Sequence, residues 1–440
     1  MVDTRQRIAH HPGVDPAALR LEPLLGRLVN YERTRPTQRV WDLATIEALL
    51  ARPGAGKKPG PAVQVGGSKG KGTTCAFLAA FAERAGLRHG VYLSPHVDTL
   101  LERIRIGPEC IAVERLERLL CEVLSFAEAA GLQATFFEAM TAAAAAEFAA
   151  ARVELAIWEV GLGGRYDATT AVPVDASIVT GIELEHTEVL GSTVAAIAGE
   201  KAPVIRPGGR GFTAAQGDAL RVIEQHAASV GARLSVLGRD LRIEGERWDG
   251  LRCRGLLALP NGQRVPFDLP DARAYELPAL ALAAAAFAEL CPSAPLHLDP
   301  APRPTLPCRF ELVPGPGGEP LVLDGAHTEQ SMAAVARELQ RRWPGQRVSV
   351  LFSCAAGKRW REALSQLLPI ADSFVVTELS GTVGEAPLAI AEWLRSQGRV
   401  CALADGPAPA LAALLALPGP RLVTGSFYLA GEVRRMLRAR

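Results

Sequence analysis

The stretch Pro61-Ala62-Val63-Gln64-Val65-Gly66-Gly67-Ser68-Lys69-Gly70-Lys71-Gly72-Thr73-Thr74-Cys75-Ala76-Phe77 decides the fold. A short apolar strand, Pro61–Val65, runs into a glycine-rich turn. A helix follows over Thr73–Ala85 and is stopped by Gly86. A strict phosphate loop reads G-x-x-x-x-G-K-[ST]. This one departs twice, with Val65 where the first glycine belongs and Gly72 directly after Lys71. What stands here is the shorter G-x-x-G-K-G-[ST], Gly67-Ser68-Lys69-Gly70-Lys71-Gly72-Thr73. The physics of anion binding is kept. A loop leaving a buried strand and opening a helix aims backbone N–H groups and the helix dipole at one point. Glycines let the backbone approach phosphate oxygens. Lys71 supplies a point charge for the terminal phosphates of ATP, and Thr73 offers a hydroxyl to Mg²⁺. A plain Gly/Lys-rich surface turn is the competing reading, and the strand before with the helix after argues against it.

Outward from the loop, strand and helix patterns alternate. His89–Leu93, Leu155–Val160 and Ala176–Thr180 are apolar runs suited to buried parallel strands. Leu116–Ala130 and Thr135–Ala151 read as helices. The alternation predicts an α/β doubly wound domain. Before it, residues 1–60 read as a helical lead-in, with a Gly/Pro/Lys-rich loop at Arg52–Pro61. Beyond it, Leu234–Ile243 and Arg252–Leu259 read as strands and Leu277–Leu290 as a helix. Six prolines within residues 292–307 read as a stiff linker. The expected division is therefore 1–299 and 300–440. After the linker the pattern restarts as a second, smaller Rossmann-like α/β domain, from strand Pro320–Leu323 to helix Tyr428–Arg438.

Open α/β sheets bind ligands at the carboxyl ends of their strands, and three strands here end in chemistry. One ends in Ser94-Pro95-His96. A second carries Glu159 inside an apolar run, before Gly161-Leu162-Gly163-Gly164. A third leads to Glu185-His186-Thr187. A carboxylate buried at 159 is costly without a cation, and an edge strand facing solvent is the alternative. Lys201, Asp324-Gly325-Ala326-His327 and Gly425-Ser426 are weak signals one by one.

Net charge is +1, which points to neither nucleic acid nor an anionic membrane surface. No two of the eight cysteines are closer than eleven positions, so no zinc-like cluster arises, and a reducing cytoplasm is expected. No apolar signal segment or membrane span is expected either.

Taken in order, these motifs resemble the folylpolyglutamate synthase/dihydrofolate synthase family, a branch of the Mur ligase superfamily. The resemblance includes Asn30-Tyr31-Glu32-Arg33, the loop at 67–73, Ser94-Pro95-His96 with Glu102-Arg103-Ile104-Arg105, and Thr135-Phe136-Phe137-Glu138. It continues through Glu159-Val160-Gly161-Leu162-Gly163-Gly164-Arg165 with Asp167-Ala168-Thr169, and His186-Thr187-Glu188-Val189-Leu190-Gly191. It closes with Glu200-Lys201-Ala202, Arg309 with Glu311, Asp324-Gly325-Ala326-His327 and Gly425-Ser426-Phe427-Tyr428-Leu429. Lys69, where many members have Asn, is similar to the eukaryotic variant.

The resemblance implies an N-terminal ATPase domain of Mur ligase type and a C-terminal ligase domain. ATP would phosphorylate a substrate carboxylate, and the amine of L-glutamate would attack the acyl phosphate. Thr73, Ser94, Glu159 and His186 would hold Mg²⁺, and Lys201 would be carbamylated. Arg309, Asp324 and His327 would reach the nucleotide and the reacting groups. Thr135, Phe137, Glu138, Arg165 and Asp167 would line the pterin side, and Ser426 would hold the incoming glutamate. The partners implied are folate or pteroate and L-glutamate, with no nucleic acid and no membrane, acting on a cytoplasmic monomer.

Several family positions differ. The segment resembling G-x-H-Q-x-x-N reads Asp271-Ala272-Arg273-Ala274-Tyr275-Glu276-Leu277, with Leu277 for its Asn. Thr328 and Thr170 replace two further Asn residues, and Glu185 replaces an Asp. These changes leave two alternatives open: a divergent Mur-type ligase joining another acid and amine, and a non-catalytic nucleotide-binding protein.

Overall fold

Ala62–Gly66 (β1) is buried along its whole length and lies inside an eight-stranded sheet. The structure is a computed structural model that describes residues 15–31, 42–304, 306–315, 318–380 and 383–438. The N-terminal part of the expected lead-in and the pair Glu32-Arg33 lie outside the described residues, as does Thr305 of the linker. The described lead-in forms helices Pro16–Leu25 and Ala44–Ala51.

The chain divides into two units. The first holds residues 20–96 and 100–304. The second holds 97–99 and 305–440, with the described residues before 20. The first unit's sheet adds β2 (His89–Tyr92), β3 (Ile104–Ile106), β4 (Glu109–Cys110), β5 (Leu155–Glu159), β6 (Ala176–Val179), β7 (Arg210–Thr213) and β8 (Arg233–Val236), in the order β4-β3-β2-β5-β1-β6-β7-β8. From β2 to β8 every pairing is parallel, while β3 and β4 run antiparallel at one edge. The continuous apolar runs are what a sheet covered on both faces requires. Helices Val113–Ala129 and Phe136–Ala151 pack in one core cluster with Tyr92, Trp158 and Phe148. Helix Lys71–Arg84 packs in another.

Leu234–Ile243 is not the single strand that the sequence suggests. Gly238, at φ 93°, turns the chain, so Arg233–Val236 joins the large sheet. Arg242–Asp249 (β9) instead starts a separate antiparallel sheet with β10 (Arg252–Ala258) and β11 (Arg264–Leu269). Helix Leu277–Leu290 is apolar on every side because it is buried between that small sheet and helix Lys71–Arg84. The two helices run side by side in the same direction. Phe81 and Phe287, each eleven positions into its helix, meet edge-to-face at 5.9 Å. At the far end, Arg84 Nη1 donates to His297 O at 2.9 Å.

The proline-rich stretch is not a free spacer. Asp268 N donates to Leu298 O and Ala301 N to Asp268 O, both at 2.8 Å, and Leu298 and Ala301 are buried. The stretch is packed along β11, and the first unit runs on through Pro304.

The second unit is a six-stranded sheet of β12 (Glu311–Pro314), β13 (Pro320–Leu323), β14 (Val348–Phe352), β15 (Ala371–Val376), β16 (Val400–Leu403) and β17 (Arg421–Thr424). Its order is β12-β13-β17-β14-β15-β16, and only β12 is antiparallel. Apolar clusters cover its two faces, one with helix Glu329–Arg342 and one with helix Phe427–Arg438. Among the described residues no helix is long and apolar enough to cross a membrane.

Candidate active site

In the first unit, β2, β5, β1 and β6 are sheet neighbours, and their carboxyl ends carry the candidate residues to one edge. Gly67 follows β1 with φ 125°, and a Cβ there would stand 2.0 Å from Thr180 Oγ1. Only glycine fits that turn. Ser68 N donates to Gly181 O at 2.9 Å, and Ser68 Oγ to Glu183 O at 3.3 Å, which fixes the loop to the segment after β6. Gly70, at φ 89°, precedes the first helical residue, Lys71. Gly72 and Thr73 lie in the helix's first turn, so its unpaired N–H groups open toward the loop. Lys71 Nζ folds back to donate to Gly67 O at 2.9 Å.

Glu159 ends β5 and is buried, and its Oε2 accepts from Ser94 N at 3.0 Å. The structure thus brings two of the expected metal residues together. Thr73 stands in the first turn of helix Lys71–Arg84, after the neighbouring strand β1. His186, in the left-handed region at φ 47°, begins helix Thr187–Leu190 beyond β6. Among the described residues no group of three or more His, Cys, Asp or Glu gathers for a metal ion. The candidate set is instead one buried carboxylate, one imidazole and two hydroxyls. Mg²⁺ is commonly held by one or two carboxylates, with phosphate oxygens and water completing its shell. The donor set fits an ion shared with a phosphate chain, not a closed protein cage.

Lys201 ends helix Val194–Lys201 and is 2% exposed. Its Nζ donates to Gly67 O at 3.0 Å and to Glu185 Oε1 at 3.1 Å. Lys69 Nζ lies 3.6 Å from the other Glu185 oxygen. Burial opposes the Glu185 charge, but Lys71, Lys201, Lys69 and His186 outweigh it and hold the carboxyl down at about 2. Burial, with Lys71 beside it, pushes Lys201 down to about 8 against the pull of Glu185. From the sequence, Glu185 reads only as a longer substitute for Asp. The available signal is a carboxylate directly before a candidate ligand histidine, with lysines at 69, 71 and 201 in the motifs that lead to the same site.

The expected pterin-side residues have local partners. Thr135 and Glu138 form the capping box of helix Phe136–Ala151, with Thr135 Oγ1 donating to Glu138 Oε2 at 2.6 Å. Phe137 packs against Tyr92 with the rings tilted by 50° and their centroids 5.6 Å apart, and lies so near Gly161 that a Cβ there would be 2.8 Å from its ring. Asp167 is buried and accepts from Gly161 N and Leu162 N, both at 3.0 Å, which closes the glycine loop after Glu159. Burial raises its pKa against those bonds. Arg165 is exposed and reaches Gly199 O at 3.1 Å and Glu200 at 3.3 Å.

In the second unit, Asp324 follows β13, buried, and accepts from Phe310 N and Ala326 N at 2.7 Å. His327 Nδ1 lies 2.9 Å from Gly325 O. Arg309 stacks over the Phe427 ring at 4.8 Å. Ser426 Oγ accepts from Tyr428 N at 3.1 Å at the start of helix Phe427–Arg438. Gly425 has φ 98°, and a Cβ there would meet Ser353 O at 2.3 Å.

The changed family positions have been taken into the scaffold. Thr170 Oγ1 donates to Gly164 O at 2.6 Å. Thr328 caps helix Glu329–Arg342. Leu277 is a core residue. Just before it, Glu276 is paired with Arg273 at 2.8 Å and also with Arg303.

Residues 308–426 match the Mur ligase, glutamate ligase domain family. The dihydrofolate synthase/folylpolyglutamate synthase of Bacillus subtilis is 30% identical over 423 residues, covering 90% of this chain and 95% of that one. The Mycobacterium tuberculosis folylpolyglutamate synthase complexed with ADP and AMPPCP shares the fold, with a TM-score of 0.83 at 24% identity, covering 96% of this chain and 98% of that one. A bifunctional folylpolyglutamate synthase/dihydrofolate synthase from Yersinia pestis, complexed with AMPPNP and a Mn ion, gives a TM-score of 0.79 at 25% identity, covering 97% and 99%. With near full-length similarity, a phosphate loop at the end of β1 and a buried carboxylate at the end of the adjacent β5, the chain belongs to the dihydrofolate synthase/folylpolyglutamate synthase family.

Proposed function

We propose that this protein is an ATP-dependent ligase that joins L-glutamate to the carboxylate of a folate or dihydropteroate. The γ-phosphoryl group passes from ATP to the carboxylate, giving ADP and an acyl phosphate. The glutamate amine then attacks the acyl carbon, the C–O bond to phosphate breaks, and the amine loses a proton. Such transfer needs positioning and charge neutralisation more than covalent chemistry from the protein. The observation that carries the reading is the phosphate loop, with Lys71 at its mouth and Glu159 buried at the next strand end.

In this reading Gly67–Thr73 hold the phosphate chain, with Lys71 on the terminal phosphates. Thr73, Ser94, Glu159 and His186 hold Mg²⁺, which neutralises phosphate charge when bound. Lys201, an ammonium paired with Glu185 in the unmodified chain, is carbamylated in the working enzyme: its neutral amine adds to CO₂ and loses one proton, and the pair with Glu185 is given up. Its lowered pKa of about 8 supports that step by raising the neutral fraction. Arg309, Asp324 and His327 serve the nucleotide and the reacting groups, and Ser426 the incoming glutamate. Phe137 and Arg165 flank the pterin, while Thr135, Glu138 and Asp167 shape that wall. The enzyme works as a monomer on small molecules in the cytoplasm, and its eight free thiols support the reducing compartment.

The test is phosphate release by purified protein. It is expected only when ATP, Mg²⁺, L-glutamate and a folate or pteroate are all present. No release with any folate form, or equal release with an unrelated acid and amine, defeats the reading.

A further inference from the structure

The loop Pro53-Gly54-Ala55-Gly56-Lys57-Lys58-Pro59 has no part in the reaction above, yet it is built with care. Gly54 and Gly56 are both left-handed, at φ 80° and 81°. A Cβ on Gly56 would come within 2.4 Å of the Ala149 Cβ, so glycine is what lets the loop lie against the last turn of helix Phe136–Ala151. Beside that contact is a cavity of about 580 Å³. Small-molecule sites commonly measure roughly 300–1,000 Å³.

The wall of the cavity is cationic. Lys57, Lys58, Arg115 and Arg152 line it, against a single acid, Glu122. Lys58 is matched by Asp175 at 2.5 Å and Arg115 by Glu147 at 2.7 Å. Lys57 and Arg152 have no acidic partner among the described residues. Arg52, directly before the loop in sequence, is 5% exposed and does not line the cavity. Its Nη1 donates to Leu49 O at 2.7 Å, while its Nη2 has no hydrogen-bond partner among the described residues. A helix C-terminus attracts cations by its dipole, which accounts for Arg152. It does not account for two lysines brought in by a separate loop.

The place in the fold separates this cavity from the nucleotide site. The loop feeds the amino end of β1, and helix Phe136–Ala151 feeds the amino end of β5. The phosphate loop and Glu159 lie at the carboxyl ends of those strands, a strand length of roughly 16 Å away at about 3.3 Å per residue.

We propose that this cavity is a second anion site, which takes a small multivalent anion bearing phosphate or several carboxylates. Guanidinium groups match either one with paired N–H donors, and the lysines add point charge. The aliphatic wall of Leu119 and Ala150 suits a ligand with some carbon body.

The test is calorimetric titration of the full chain with inorganic pyrophosphate and, separately, with citrate. Wild type is expected to show two pyrophosphate events. Lys57→Glu/Arg152→Glu weakens one of them at least tenfold, and Lys71→Ala weakens the other. Citrate binding that the charge-reversed pair abolishes shows that carboxylates are accepted. Citrate silence beside intact pyrophosphate binding assigns the site to phosphorylated ligands. The milder Lys57→Gln/Arg152→Gln pair, with an unchanged melting temperature, guards against misfolding. If both double variants reproduce the wild-type isotherms, or Lys71→Ala alone removes all pyrophosphate binding, the proposal is overturned.

Discussion

Lys201 and Glu185 form a buried ion pair at 3.1 Å beneath the phosphate loop, and the same ammonium holds the Gly67 carbonyl. Charge on this loop is therefore organised before any nucleotide arrives. Glu185→Gln removes the carboxylate from a place where three lysines converge. Breaking a buried pair by deleting one partner typically costs about 3–5 kcal/mol, because the other charge is left uncompensated. A loss near the lower bound is expected, since Glu185 is not fully enclosed. Urea unfolding at neutral pH measures it, and an unchanged midpoint would show that the pair contributes nothing.

The same pair sets a pH dependence with a definite sign. Glu185 is depressed from 4.5 to about 2, so the folded chain holds its carboxylate where the unfolded chain is already protonated. That stabilisation is complete above pH 4.5 and is lost as the pH falls toward 2. Lys201 is depressed from 10.5 to about 8, so between those values the unfolded chain binds the extra proton. Its contribution rises with pH across that window. Comparing unfolding free energies of wild type and Glu185→Gln from pH 6 down to pH 3 checks the acid arm. Parallel curves would remove Glu185 as its source.

Lys71 and Gly67 test the loop in different ways. Removing one preorganised charge-stabilising donor typically lowers kcat by about 10²–10³. Lys71→Ala is expected in that range with little change in melting temperature, since its bond to Gly67 O is local. Gly67→Ala places a methyl on Thr180 Oγ1 at a φ of 125°, so it should lower both stability and ATP affinity. Steady-state kinetics beside thermal melting separates the two behaviours. A Gly67→Ala chain with wild-type melting and turnover would contradict the steric argument.

The central strands and the phosphate loop were legible in the sequence because burial on both sheet faces leaves unbroken apolar runs, and glycine marks a turn that no other residue fits. Gly238 does not read as a break in Leu234–Ile243, because the apolar residues on its two sides continue one pattern while joining different sheets. Proline content made residues 292–307 look like a spacer. Proline lacks an N–H, but its neighbours Leu298 and Ala301 still pack and hydrogen-bond. Glu185 is hard to read in the sequence because its partners Lys69 and Lys201 lie 116 and 16 residues away and meet it only in the fold. Thr135 and Glu138 carry a capping-box pattern plain in sequence, which competes with a ligand role for the same atoms.

Thr170, where the family resemblance implies an amide, has its hydroxyl tied into the strand beneath the loop. It donates to Gly164 O at 2.6 Å and accepts from Gln64 Nε2 at 3.0 Å. Gln64, fully buried in β1, also donates to Thr169 Oγ1 at 2.8 Å and accepts from Arg206 Nη2 at 2.7 Å. Thr170→Val keeps the shape and strips the hydroxyl, leaving the Gly164 carbonyl unmatched at a cost of about 1–3 kcal/mol. Gln64→Leu should cost more, because it also takes the acceptor from Arg206, whose pKa burial already pushes down to about 10. The double variant should lose less than the sum of the two, since the lost Gln64–Thr170 bond is counted in both. Urea midpoints of the three variants decide the matter. Equal losses for the single variants would mean that Arg206 finds another acceptor, and strict additivity would mean that the Gln64–Thr170 bond carries no weight.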